Sequence, residues 1–265
     1  MRQPRVSGAF YSSSTRALEK ELKDIYSGFT KKPDEKILGG VVPHAGYIYS
    51  GRTAAAVYSR IPVDATYVIL GPNHSMSGAL IAASEDDWMT PMGKVELDRD
   101  LLSHLRKEVV MVDENAHAFE HSIEVQLPFL QYLIKSVKIL PISMGIQDYE
   151  TAVDVGDALS DAINAHSRKV VVLASSDFTH YQPEEVVKSI DMSVIKPILE
   201  MDLRSFFDTV YNLNASVCGY GPIGTVIHTL LSLGAVKGEL VRYSTSAEAS
   251  GDTRQVVGYG GIVFH

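Results

Sequence analysis

The stretch Tyr67-Val-Ile-Leu-Gly-Pro-Asn-His74 decides the fold class, because it is a short apolar run that leads directly into a histidine. Two further runs have the same form. They are Ile37-Leu-Gly-Gly-Val-Val-Pro-His44 and Lys169-Val-Val-Val-Leu-Ala-Ser-Ser176, and the second is followed by His180. Continuous apolar runs of this length are typical of strands that are buried on both faces of a parallel sheet. We therefore predict that all three runs are buried strands.

Segments with helical periodicity alternate with these strands along the chain. Helices are predicted at residues 16–29, 50–60, 98–109, 120–134, 151–166, 183–200, 202–212 and 221–233, and further strands at 79–84, 137–144, 240–244 and 256–264. The alternation predicts an α/β fold, namely a three-layer α/β/α sandwich with a mostly parallel central sheet. No Pro/Gly/Ser-rich linker interrupts the chain, so we expect a single domain over residues 1–265.

The composition argues against several classes of protein. The formal net charge is −8 and no basic stripe offsets it, which argues against a nucleic-acid partner. No apolar run approaches the roughly 20 residues of a membrane span, and the first residues lack the apolar core of a signal peptide. Cys218 is the single cysteine, which excludes an internal disulfide framework. We therefore expect a soluble cytoplasmic protein that binds neither nucleic acid nor membrane.

His44, His74 and His180 each lie just beyond the carboxyl end of a predicted strand. Ligands of open α/β sheets bind in the crevice outside these ends, and neighbouring strands lie about 4.8 Å apart. Imidazole binds zinc, copper and iron and also acts as a base near neutral pH. A single histidine at a strand end is usually explained by a hydrogen bond to loop backbone. Because the placement occurs three times, we favour a binding or catalytic site. Asp177 either orients an imidazole there or caps a turn.

Two further segments carry side chains that bind metals. In His117-Ala-Phe-Glu-His121 the two histidines are spaced i, i+4, which predicts that both lie on one helix face. The glutamate directly precedes the second histidine, so the zincin motif is not matched. We favour supporting roles for Glu120 and His121 over direct ligation. Cys218 precedes a glycine-rich helix start, where a thiolate would suit copper, iron or zinc, although its local sequence also fits a small buried hydrophobe.

Together these motifs resemble those of the Memo family. The matching segments extend from near the start of the chain to beyond residue 220, at residues 5–11, 43–47, 71–74, 120–124, 175–181 and 218–222. The resemblance implies the fold of class III extradiol ring-cleavage dioxygenases, which hold non-haem iron(II) with two histidines and a glutamate. By this resemblance His44 and His74 take the histidine positions and Cys218 takes the carboxylate position. His180, with Asp177 beside it, matches the acid/base histidine.

The cysteine changes the chemistry that the resemblance implies. A His-His-carboxylate set favours iron(II) and dioxygen activation, whereas a His-His-Cys set favours copper or a thiolate-bound iron. We therefore expect a mononuclear iron or copper site with redox activity on a small substrate. The candidate catalytic residues around it are His180, Asp177, His121 and Glu120. Two alternatives stay open, namely a non-catalytic module that binds a metal or a peptide in this cleft, and a zinc-dependent hydrolase.

The resemblance also implies partners. In bacteria and archaea, proteins of this family are typically encoded with an AMMECR-type domain and a radical SAM protein, and the three form the AmmeMemoRadiSam set. Eukaryotic relatives are linked to cell motility and signalling. We therefore expect a functional link to AMMECR-type and radical SAM proteins, in addition to a small-molecule or peptide ligand.

Overall fold

A sheet of eleven strands occupies the centre of the computed structural model, which describes all 265 residues. The strands are β1 Gly39–Val42, β2 Thr66–Pro72, β3 Ile81–Ala83, β4 Trp88–Thr90, β5 Gly93–Leu97, β6 Met111–Val112, β7 Lys138–Met144, β8 Val170–Ser175, β9 His180–Gln182, β10 Gly238–Thr245 and β11 Val256–Phe264. The main path of the sheet follows the order β10-β11-β1-β8-β2-β7-β3-β6. The central strands β1, β8, β2 and β7 are parallel. β11 is antiparallel to β1 and β10, and β3 is antiparallel to β7 but parallel to β6.

Helices cover both faces of this sheet. They are α1 Thr15–Ile25, α2 Tyr47–Tyr58, α3 Arg99–His104, α4 Leu127–Leu133, α5 Tyr149–Ala165, α6 Glu184–Leu199, α7 Leu203–Asn212, α8 Tyr220–Ser232 and α9 Ala247–Ser250, with 3₁₀ turns at Glu114–Ala116 and Glu124–Gln126. None of them combines the length and the apolar character needed to cross a bilayer.

The core is divided by the sheet into two apolar clusters. Along β2, Val68 and Leu70 pack into the cluster under α5, α6, α7 and α8, while Tyr67 and Ile69 pack into the cluster under α1, α2 and α4. Successive side chains of a strand point to opposite faces, so a strand buried on both sides must be apolar throughout. The predicted three-layer α/β/α architecture with a mostly parallel central sheet is confirmed.

The helix predicted at residues 120–134 is shorter than expected. It begins at Leu127, with Pro128 in its first turn, after a 3₁₀ turn at Glu124–Gln126. Proline lacks the backbone N–H but fits the first helical turn, so it favours a helix start there. The prediction that His117 and His121 share one helix face is therefore wrong. His117 ends the 3₁₀ turn at Glu114–Ala116 and lies buried against Trp88, with 5.6 Å between the ring centroids.

The N-terminal segment holds this irregular stretch in place. The Arg2 guanidinium forms an ion pair of 2.8 Å with Glu124, and the side chains of both residues are almost completely buried. The Glu124 carboxylate also accepts hydrogen bonds from the backbone N–H of Arg5 and Val6 and from the Tyr11 hydroxyl. A buried carboxylate needs such a complete set of donors. Arg2 also donates to the carbonyl oxygens of His117 and Glu120, so the N-terminal segment fixes residues 117–124.

Candidate metal centre

Three neighbouring strands lead into the candidate site. The parallel strands β1, β8 and β2 are adjacent, and the chain continues beyond their carboxyl ends to His44, Asp177 and His74. The ring centroids of His44 and His74 are 5.4 Å apart, and the ring of His121 lies 5.5 Å from His44 and 4.9 Å from His74. One ring nitrogen from each of these three histidines lies within 4.8 Å of the others, so the set could hold one metal ion.

The protonation of His44 follows from the hydrogen bonds of Ser175. The Ser175 hydroxyl donates to the Ser122 carbonyl at 2.6 Å and accepts from the Gln126 side-chain amide at 2.8 Å. Because a hydroxyl has a single hydrogen, its contact of 3.0 Å with His44 Nδ1 must be a bond that the imidazole donates. Nε2 of His44 is then free of a proton. Burial lowers the pKa of His44 well below its usual value, which keeps the ring neutral.

Glu120 organises the other two imidazoles from behind. Its carboxylate lies 3.0 Å from Nδ1 of His74 and 3.4 Å from Nδ1 of His121. In both rings Glu120 thus contacts Nδ1 and not Nε2. It also accepts the backbone N–H groups of His74, His121 and Ser122 at 2.6, 2.8 and 2.8 Å. Burial acts to raise the pKa of Glu120, but the hydrogen bond and charge of His74 outweigh it and hold that pKa well below its usual range. Carboxylates in this position typically orient histidine ligands.

Cys218 joins the cluster through His44. Its Sγ lies 3.1 Å from Nε2 of His44 and accepts the backbone N–H of Asp177 at 3.2 Å. Gly219 permits this approach, because a Cβ there would lie 2.6 Å from the Ser175 carbonyl oxygen. Burial raises the pKa of the Cys218 thiol, so a bound cation would have to displace its proton. Nε2 of His44 is thus the point at which the thiol and the imidazoles meet.

Asp177 and His180 lie at the same cleft. Asp177 accepts the backbone N–H of His44 at 2.8 Å, so its carboxylate anchors the loop that carries this histidine. Burial raises the pKa of Asp177 to about 6, against the lowering effect of that bond. Nδ1 of His180 lies 2.8 Å from the Ser216 carbonyl, which can only accept a hydrogen bond. In the neutral ring, Nδ1 therefore carries the proton and Nε2 faces away from this bond as the basic nitrogen.

The structure brings His44 and His74, two of the ligands predicted from the sequence, into one group with His121. The third predicted ligand, Cys218, contacts this group through Nε2 of His44. The His121 ring lies among the groups that could hold an ion, whereas the sequence predicted a supporting role for this residue. Glu120 lies beneath the imidazoles and is 2% exposed, so its position matches the expected support.

The cleft above these groups has a volume of about 600 Å³. Residues that the sequence did not predict line its walls, and they come from the N-terminal segment, the start of α2, β9 and the chain around α9 and β11. They are Phe10, Tyr49, Tyr181, Ser246, Ser250, Asp252, Gln255, Val257 and Tyr259. Phe10 and Tyr181 lie in the motif segments 5–11 and 175–181, and Ser246 follows β10, so these positions carried a signal, whereas the other wall residues lie outside the motifs. The walls combine aromatic rings with hydroxyl, amide and carboxylate groups, as a site for a small polar ligand would.

Comparisons with known proteins place the chain among relatives of the same length. Residues 2–263 match the family described as Memo-like protein. The chain is 48% identical to a MEMO1 family protein of Methanosarcina barkeri over 99% of both chains, and 48% identical to one of Archaeoglobus fulgidus over 100% of this chain and 99% of that one. A crystal structure of an uncharacterized protein from Escherichia coli K12 superposes with a TM-score of 0.51 at 9% identity, over 86% of this chain and 100% of the other. At that identity the likeness concerns the fold alone.

Proposed function

Because the chain belongs to the Memo family, we propose that it is a metalloprotein whose cleft holds one iron or copper ion and carries out redox chemistry on a small substrate. The observation that carries the proposal is the convergence of three imidazoles, one of which contacts a thiol, at the carboxyl ends of parallel strands. Thiolate and imidazole together suit copper and iron better than they suit magnesium or calcium. Zinc accepts the same ligands.

His44, His74, His121 and Cys218 would hold the ion. When bound, the ion would supply a Lewis-acidic and redox-active centre. Ser175 and Glu120 fix the imidazoles with Nδ1 engaged, so that little rearrangement is needed for binding. This agreement between the donor set and its hydrogen-bonded support favours a metal over a purely structural cluster.

His180 would provide the acid/base group for the reaction. Its Nδ1 is occupied by the Ser216 carbonyl, so Nε2 can take a proton from a substrate in the cleft and return it. Asp177 holds the His44 loop, and both Asp177 and His180 line the cleft. We assign the aromatic and polar wall to substrate binding.

Metal content tests the proposal most directly. The protein is purified without a histidine tag under anaerobic conditions, and its metal is measured by mass spectrometry and electron paramagnetic resonance. We expect about one equivalent of iron or copper per chain and at least about 100-fold weaker binding in His44→Ala, since this change removes a ligand. His265→Ala is the matched control, because this residue ends the chain beside Glu239, and it should bind like the wild type.

The outcomes separate the three functions. Wild-type protein without iron or copper above background, with no change in His44→Ala, would contradict the proposal. Zinc as the native ion would favour the hydrolase. Metal binding without any turnover that depends on His180 would favour a binding module.

A further inference from the structure

A second cluster of metal-ligating groups lies at the opposite edge of the sheet. Asp98 follows β5 and caps α3, Asp100 lies in the first turn of α3, and His166 caps the end of α5. This is the edge at which β2, β7 and β8 begin, because Thr66, Lys138 and Val170 are paired there. The ligand atoms of Asp98, Asp100 and His166 all lie within 4.8 Å of one another.

The His166 ring is the unusual member of this cluster. Its side chain is 1% exposed, yet neither ring nitrogen has a hydrogen-bond partner. Nδ1 lies 2.9 Å from Asp100 Oδ2 and Nε2 lies 3.5 Å from Asp98 Oδ2, but neither oxygen is aligned with a ring N–H. A buried polar group without a partner is destabilising, so its presence in a folded core requires an explanation.

The two carboxylates differ in their burial, since Asp98 is enclosed and Asp100 faces solvent. Asp98 is rigid and buried, since its Oδ2 accepts the Thr66 hydroxyl at 2.6 Å and its Oδ1 accepts the Leu101 N–H at 3.1 Å. The side chain of Asp100 is 65% exposed and has room to move toward an ion. The cluster thus has one fixed oxygen donor, one mobile oxygen donor and one buried nitrogen donor, with access from solvent beside Asp100.

We propose that Asp98, Asp100 and His166 form a second cation site, which takes a divalent ion with mixed oxygen and nitrogen ligands, such as zinc(II). Imidazole and carboxylate are both established zinc ligands, and water completes the coordination from the solvent side. The ion satisfies the buried imidazole and balances the two carboxylates. It also connects the start of α3 to the end of α5, so its role is structural and independent of the cleft.

Zinc titration of three variants tests this site. Wild-type protein is expected to bind about two equivalents of zinc(II) per chain, one at each edge of the sheet. Asp100→Asn should weaken one of them by at least about 100-fold, because loss of a ligand exceeds the roughly 10- to 100-fold effect of an outer partner. His44→Ala should weaken only the other. Asp208→Asn, an exposed aspartate on α7, is the matched control and should keep both.

The state of the His166 ring provides a second readout. In nitrogen-15 NMR spectra, zinc should shift one ring nitrogen of His166 in the wild type and in Asp208→Asn, and should shift neither in Asp100→Asn. Two zinc equivalents retained in Asp100→Asn would overturn the site. So would a His166 ring that stays doubly protonated throughout the titration, since that ring would simply be an ion-pair partner of the two aspartates.

Discussion

The two edges of the sheet both gather histidine and acidic side chains, but they satisfy the ring nitrogens differently. At the carboxyl edge, Nδ1 of His44 is held by Ser175 and Nδ1 of His74 by Glu120. At the amino edge, the His166 ring has carboxylates close by but no directed hydrogen bond. Two rings of the first cluster are therefore oriented by hydrogen bonds, and the ring of the second cluster is not.

The difference follows from the backbone around each cluster. Beyond the carboxyl ends of the strands the chain forms loops, and Glu120 accepts three backbone N–H groups there. At the amino edge the chain runs into helix ends, and Asp98 is already engaged as the cap of α3. Nearby donors alone therefore do not make a prepared site. The orientation of each ring by its second nitrogen does.

Removal of the Glu120 carboxylate should change the difference between the two edges most. We expect Glu120→Ala to weaken zinc binding in the cleft by about 100-fold, or about 2.7 kcal/mol, because His74 and His121 lose their common support. The measurement is a competitive zinc titration, with the amino-edge affinity recorded in parallel. Glu108→Ala, at an exposed position, is the control. A variant that keeps its circular dichroism spectrum and its cleft affinity would show that the carboxylate does not orient the rings.

The sequence predicted those residues of the site that directly follow strand ends, namely His44 and His74. The runs before His44 and His74 are apolar because both faces of the sheet are covered, and parallel strands bring their carboxyl ends to one edge. These features are local, so a single sequence displays them. The adjacency of β1, β8 and β2 is not local, and only the structure supplies it.

The role of His121 could not be predicted in the same way. Its spacing from His117 fits a helix, but the chain there is held in a turn by Glu120, which bonds to His74, and by the ion pair between Arg2 and Glu124. These partners lie far away in sequence, so they override the local periodicity without leaving a local signal. The same holds for Tyr259 in the cleft wall.

Thr66 tests whether the amino edge is independent of the cleft. Thr66→Val keeps the shape of the side chain but removes the 2.6 Å bond to Asp98, which is buried. Since the partner is a charged group, we expect a loss of about 2 kcal/mol in the free energy of unfolding, measured with urea. Zinc affinity in the cleft should not change.

Thr225→Val is the matched control for that experiment. The Thr225 hydroxyl is also buried, but it contacts only the Met144 sulfur, at 3.6 Å, so its removal should cost less. Equal losses of stability in the two variants would mean that the bond to Asp98 contributes nothing specific. A weaker cleft site in Thr66→Val would mean that the two edges are coupled through β2.

Ser175→Ala should have the smallest effect on zinc binding. It tests whether one hydrogen bond to Nδ1 orients the His44 ring. The change removes the acceptor of the His44 Nδ1–H but leaves all the proposed ligands in place. We expect zinc binding in the cleft to weaken by about tenfold, or about 1.4 kcal/mol, because the ring can then adopt the other tautomer or turn. Ser143→Ala is the control, since the Ser143 hydroxyl is buried on the nearby strand β7 and has no partner. If both variants bind zinc like the wild type while nitrogen-15 spectra still show the proton on Nδ1 of His44, a feature other than Ser175 fixes the tautomer. If the proton leaves Nδ1 of His44 in Ser175→Ala alone and zinc affinity falls as well, Ser175 on strand β8 sets the orientation of His44. His166 has no such partner, and this is the difference between the two clusters.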